Sequence, residues 1–258
     1  MRAGEKGLIM YTGSKGMLRW REKNILILAA IVPAIFLLVK IYQADRSEKE
    51  PPQLLGSLIL RGVFATMIAI VLERLGDRLL PRWMDPYSLE YQLVENFLIV
   101  GLAEEGSKYF LMKGRTWNSP AFNYSFDAVV YGAFVSLGFA LWENISYVMM
   151  YGLDVAVLRA VTAIPGHACF GVFMGAWYGA AKRQDGFGNR GASAFCRAMA
   201  LLFPALLHGL YDFTAMLDGS AYRWAFYGYI AALFVSAFLT VRRLSRNDTP
   251  IPNSVFRM

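Results

Sequence analysis

Apolar residues in this chain gather in long runs, and the runs have bilayer length. They predict spans at roughly 24–43, 54–75, 91–112, 127–150, 158–181, 196–217 and 223–242, since about 20 mostly apolar residues in a helix cross the hydrocarbon core. The fold expected is all-α: a polytopic transmembrane helix bundle of about seven spans. The seventh run is the plainest, with residues 224–241 uncharged. The third is the oddest. Its uncharged stretch Asn96–Ala103 stops at Glu104-Glu105-Gly106-Ser107-Lys108 before Tyr109-Phe110-Leu111-Met112 resumes. Arg61 inside the second run makes that segment the weakest of the seven. The organisation expected is a basic arm at 1–23, two membrane segments and their connection at 24–90, a membrane core at 91–217, and a last span with a basic tail at 218–258.

Composition agrees with the pattern. The chain is 56% hydrophobic and 17% charged, with a mean hydropathy of +0.37, so an integral membrane protein is expected. The net charge of +7 would suggest nucleic acid in a soluble protein. Here the Lys and Arg cluster just outside apolar runs, where cytoplasmic retention and anionic headgroups explain them, and no nucleic-acid partner is implied. Lys182, Arg183, Arg190 and Arg197, and in the tail Arg242, Arg243, Arg246 and Arg257, mark cytoplasmic segments. The connections near 151–157 and 218–222 hold no Lys or Arg and should be external. Seven spans would then set the basic arm on the outside, against the same rule. Cys169 and Cys196 are too few for a disulfide framework or a cysteine zinc site.

Ionisable groups inside spans are costly, so they normally face a bundle interior and mark a working site. Glu104, Glu105 and Lys108 lie on the third run, Glu143 on the fourth, His167 on the fifth, and His208 with Asp212 on the sixth. Lys108 is three and four residues beyond the two acids and can reach either on a helix. Adjacent carboxylates suit a general base that later acts as an acid; a buried ion pair fixing helix register would read the same. His208 and Asp212 share a helix face, as two metal ligands or as an imidazole oriented by a carboxylate. His167 begins a four-residue ladder with Gly171, Gly175 and Gly179, a small-residue stripe that lets a neighbouring helix approach. Packing alone accounts for those glycines.

Other active sites are absent from the sequence. It has no His-Glu-x-x-His pair and no Gly-x-Ser-x-Gly elbow. Cys169 is two residues from His167, about 200° round the helix, and makes a poor dyad with it. Without reference to any family, three readings remain: a protease, a proton-coupled transporter or channel using Glu, His and Asp as a relay, and a scaffold in which these groups only join helices. Matched broken helices, expected of many transporters, are not visible.

Glu104-Glu105-x-x-Lys108, Phe139-x-x-x-Glu143, a separate His167 and His208-x-x-x-Asp212 occur in order on successive runs. In this the chain resembles the PrsW family of bacterial intramembrane proteases, more distantly similar to CAAX prenyl proteases and bacteriocin-processing enzymes. The resemblance covers roughly 91–217, with Asp127, Gly138 and Asn144 in its flanks. It implies an intramembrane endopeptidase in the bacterial inner membrane, cutting a membrane-anchored protein such as an anti-sigma factor. The residues it implies are Glu104 or Glu105 as base, tuned by Lys108, with Glu143, His167, His208 and Asp212 completing the site. The last four could instead ligate a divalent metal such as zinc. In the prenyl-protease relatives the positions of Glu143 and Asp212 are usually histidine and asparagine. Because Lys108 would repel a cation, the sequence favours a glutamate-centred site without metal.

Overall fold

The computed structural model describes residues 27–28, 31–151, 153–217 and 219–252, apart from the side chains of 153–156. The basic arm at 1–23 and Arg257 lie outside the described residues. The helices are α1 (Ile31–Ala44), α2 (Pro52–Leu79), α3 (Leu89–Val94), α4 (Gly101–Thr116), α5 (Asp127–Tyr151), α6 (Leu153–Val161), α7 (Ala163–Gly186), α8 (Arg190–Met216) and α9 (Ser220–Arg246). Among the described residues, five helical stretches are long and apolar enough to cross a membrane: Pro52–Arg82, Asp127–Tyr151, Val157–Gly186, Arg190–Met216 and Ser220–Arg246. The second run is thus a full-length helix despite Arg61, opened by Pro51-Pro52, with a proline in the first turn where no N–H is needed. The first run is a shorter apolar helix over Ile31–Ala44.

The third run departs from hydropathy in an instructive way. From Leu89 to Thr116 the chain is helical throughout, but Glu95–Val100 is wound as a π-turn between α3 and α4, with the Gly101 N–H bonded to the Asn96 carbonyl. Such bulges concentrate at functional sites, and this one ends four residues before Glu104. The run expected at 158–181 also differs at its start. Pro165 has no N–H to give a preceding turn, so α6 ends at Val161 and α7 begins at Ala163.

Helices α2, α5, α7, α8 and α4 pack in sequence into a closed ring, and α9 lies outside against α7 and α8. The most buried is α5, lined through Ala128, Val129, Val130, Ala133, Val135 and Leu137. Small residues bring its backbone against two partners. A Cβ on Gly132 would fall 2.2 Å from the Gly171 carbonyl oxygen of α7, and one on Gly138 2.3 Å from the Ile59 carbonyl oxygen of α2. Large apolar side chains point outward, among them Leu60, Phe64, Val71, Leu206, Val235 and Phe238, as expected where lipid is the solvent. The end of α5, the start of α7 and the end of α8 meet at one rim, and Glu143, His167 and Asp212 all lie within about two turns of it.

Candidate active site

The ring borders a partly open cavity of about 530 Å³ whose lining includes Glu104, Glu143, His167, His208 and Asp212. These residues are spread over more than a hundred positions of sequence and four helices. Two close approaches set their depth. A Cβ on Gly101 would meet the Ala205 carbonyl oxygen at 2.7 Å, and one on Gly209 the Phe97 Cα at 2.8 Å. With bare backbone at both positions, α4 and its π-turn sit directly on α8, and His208 reaches the α4 acids.

Lys108 is the hub. Fully buried, it donates to Glu105 Oε1 at 2.7 Å and to Glu104 Oε2 at 3.1 Å. Its Nζ is also 3.2 Å from His167 Nδ1 and 3.9 Å from the centre of the Phe139 ring. An ammonium can only donate, so His167 Nδ1 accepts and the imidazole proton is on Nε2, 2.8 Å from Glu143 Oε2. On the other side His208 Nδ1 is 2.9 Å from Glu105 Oε1 and 3.6 Å from Glu104 Oε2, and therefore carries a proton, while its Nε2 is 3.3 Å from Asp212 Oδ2. Each histidine thus turns Nδ1 to the centre and backs Nε2 with a carboxylate. The rings cross at 89°, and Phe170 stacks on His208 with centroids 4.8 Å apart.

The two acids on α4 have different outlooks. Glu104 lines the cavity, whereas Glu105 has no exposed surface and is absent from the lining. Glu105 Oε2 is buried without a hydrogen-bond partner.

The ligand set expected from sequence, Glu143, His167, His208 and Asp212, is not the set that gathers. One donor atom from each of Glu104, Glu105, His167 and His208 lies within 4.8 Å of the others. Glu143 and Asp212 stand behind the histidines instead, where carboxylates orient metal-binding imidazoles. Two imidazole nitrogens and two carboxylates, one of them Glu105 with its orphaned oxygen, fit a divalent ion of the zinc type.

The structure adds two residues that sequence reasoning passed over. Arg159, from α6, places Nη2 2.8 Å from Glu143 Oε2, donates from Nε to Asn144 Oδ1 at 3.1 Å and lies over the Tyr147 ring. Glu73, from α2, joins the cavity lining with Arg74. Both charges fall inside predicted runs, the signal that singled out the other acids. They went unread because each sits near the end of its run, where a charge usually faces headgroups.

The family model described as PrsW family intramembrane metalloprotease matches residues 50–241. Relatives named Protease PrsW are similar over most of their length. The one from Clostridioides difficile (strain 630) is 33% identical across 78% of this chain and 82% of its own. That from Bacillus subtilis (strain 168) is 34% identical across 73% and 81%, and that from Oceanobacillus iheyensis 29% identical across 85% and 95%. No solved structure matches the chain.

Proposed function

Because the chain belongs to the PrsW family of intramembrane metalloproteases, we propose that it hydrolyses a peptide bond of a membrane-anchored protein with Glu104 as general base. The observation that carries this assignment is the difference between the neighbouring acids: Glu104 reaches the cavity and Glu105 does not. Water and a scissile carbonyl can meet only where the cavity admits them, so Glu104 is placed to take the water's proton and return it to the leaving amine. Lys108 keeps the neighbouring carboxylates tolerable in low dielectric. Glu143 and Asp212 fix how the histidine rings point, and Arg159 holds Glu143. His167, His208 and Glu105 would hold a divalent ion such as zinc, leaving Glu104 free. When bound, the ion supplies Lewis-acid polarisation of the water and the scissile carbonyl. An anti-sigma factor in the bacterial inner membrane is the kind of substrate this reading favours, with the bilayer as the enzyme's solvent.

Cleavage of a membrane-anchored reporter tests the assignment. Glu104→Gln should lower the rate by about 10²–10⁴-fold, the usual contribution of a positioned base, in protein that still inserts and melts normally. Near wild-type cleavage by Glu104→Gln would remove Glu104 from this role.

A further inference from the structure

The Lys108 ammonium stands in the way of the ion that the site suits. Its Nζ is 2.7 Å from Glu105 Oε1, 3.1 Å from Glu104 Oε2 and 3.2 Å from His167 Nδ1, three of the four residues whose donor atoms converge. An ion at the ~2.0–2.2 Å bonding distances of zinc from donors on these residues would lie within about 4 Å of Nζ. No water or anion could fit between the two cations. Lys108 also behaves as a metal would: it is fully buried, and it gives its three protons to Glu104, Glu105 and His167, the last two of which the proposed ion would engage.

We infer that Lys108 and the divalent ion are alternative occupants of one position, so that Lys108 closes the site against metal until it is displaced. The inference rests on the reading of these residues as a metal site and concerns how that site is loaded. It accounts for two facts together. Two acids and the His167 imidazole can be buried before any metal arrives, because the ammonium satisfies them. Yet the centre keeps the donors of a metal site, including a Glu105 oxygen that the lysine leaves without a partner. The exchange is a movement, for which the lysine's flexible four-carbon stem is suited. The charge it displaces has somewhere to go, since Glu73, Glu143 and Asp212 line the adjoining cavity.

Zinc affinity measured by competition with a chromophoric chelator, on purified full-length protein stripped of metal in detergent, tests the inference. Lys108→Met removes the competing charge at similar length, and its zinc affinity should rise at least tenfold over wild type. Its metal-free form should melt below wild type and recover when zinc is added. Lys108→Arg keeps the charge in a bulkier group and should bind zinc at least tenfold more weakly. It keeps the test usable should the methionine variant fail to fold. Affinity unchanged or weakened in Lys108→Met, or unchanged or tightened in Lys108→Arg, overturns the inference while leaving the metal reading intact. No zinc bound by wild type or Lys108→Met, or zinc binding that survives loss of His167 and His208 together, overturns both.

Discussion

Replacing Gly171 with alanine asks how tightly the geometry of the proposed site depends on helix spacing. The new Cβ would lie 2.4 Å from the Gly132 carbonyl oxygen and 2.8 Å from Ser136 Oγ. The carbonyl belongs to α5 and cannot swing aside, so α7 must back away by about 1 Å to reach an ordinary contact. His167 is one turn before Gly171 on the same face of α7. Its contacts to Glu143 at 2.8 Å and to Lys108 at 3.2 Å both bridge to other helices. A further ~1 Å takes each beyond hydrogen-bonding range. Reporter cleavage in proteoliposomes should fall about 10²-fold, as misplacement on this scale does, and overpacking should cost about 1–3 kcal/mol, seen as a lower melting temperature. Gly56→Ala on α2 is the control, because a Cβ there meets nothing within 4 Å. Equal cleavage rates and melting temperatures for the two variants would refute the reasoning.

Two further outcomes follow from particular side chains. Arg159→Gln frees Glu143 from its ion pair at 2.8 Å, and cleavage should drop about 10–100-fold, as when outer partners of a metal-type site are removed, with lysine restoring part of it; an unchanged rate would assign Arg159 to packing. Glu50, just before α2, is buried, and burial pushes its carboxyl from 4.5 up to about 7. The folded chain therefore holds a proton that the unfolded chain releases between pH 4.5 and 7, and stability should fall as pH rises through that window. Glu50→Gln should melt with a flatter pH dependence, and identical profiles for the two proteins would count against it.

What could be read from the sequence was what lipid makes expensive. Glu104, Glu105, Lys108, Glu143, His167, His208 and Asp212 announced themselves because a charged or imidazole side chain inside an apolar run needs a reason. The fold class was legible for the same cause. The inner geometry was not. Whether an acid touches the central point or stands behind a histidine depends on which ring nitrogen turns inward, and spacing along one helix does not encode that. His208 and Asp212 share a face, yet Asp212 backs the ring's far side. The π-turn at Glu95–Val100 leaves no compositional mark either, since it is an extra residue in a helix that hydropathy reads as continuous. Arg159 and Glu73 were masked by position, and the break before α7 was signalled only by Pro165.

The placement of Glu143, His167 and Asp212 near one rim bears on what a substrate must give up. A peptide bond inside a helix is shielded, and exposing it at mid-bilayer strands polar backbone groups in hydrocarbon at several kcal/mol each. The last turn of any helix already lacks partners for its terminal carbonyls, so it frays at little cost. On the proposed reading, a site within ~12 Å of these helix ends would act on such an end more readily than on mid-span. Cleavage would then be measured from where the substrate's span stops. Two substrates with unrelated sequences but equally loose ends would be cut alike, and stiffening the final turn would protect either.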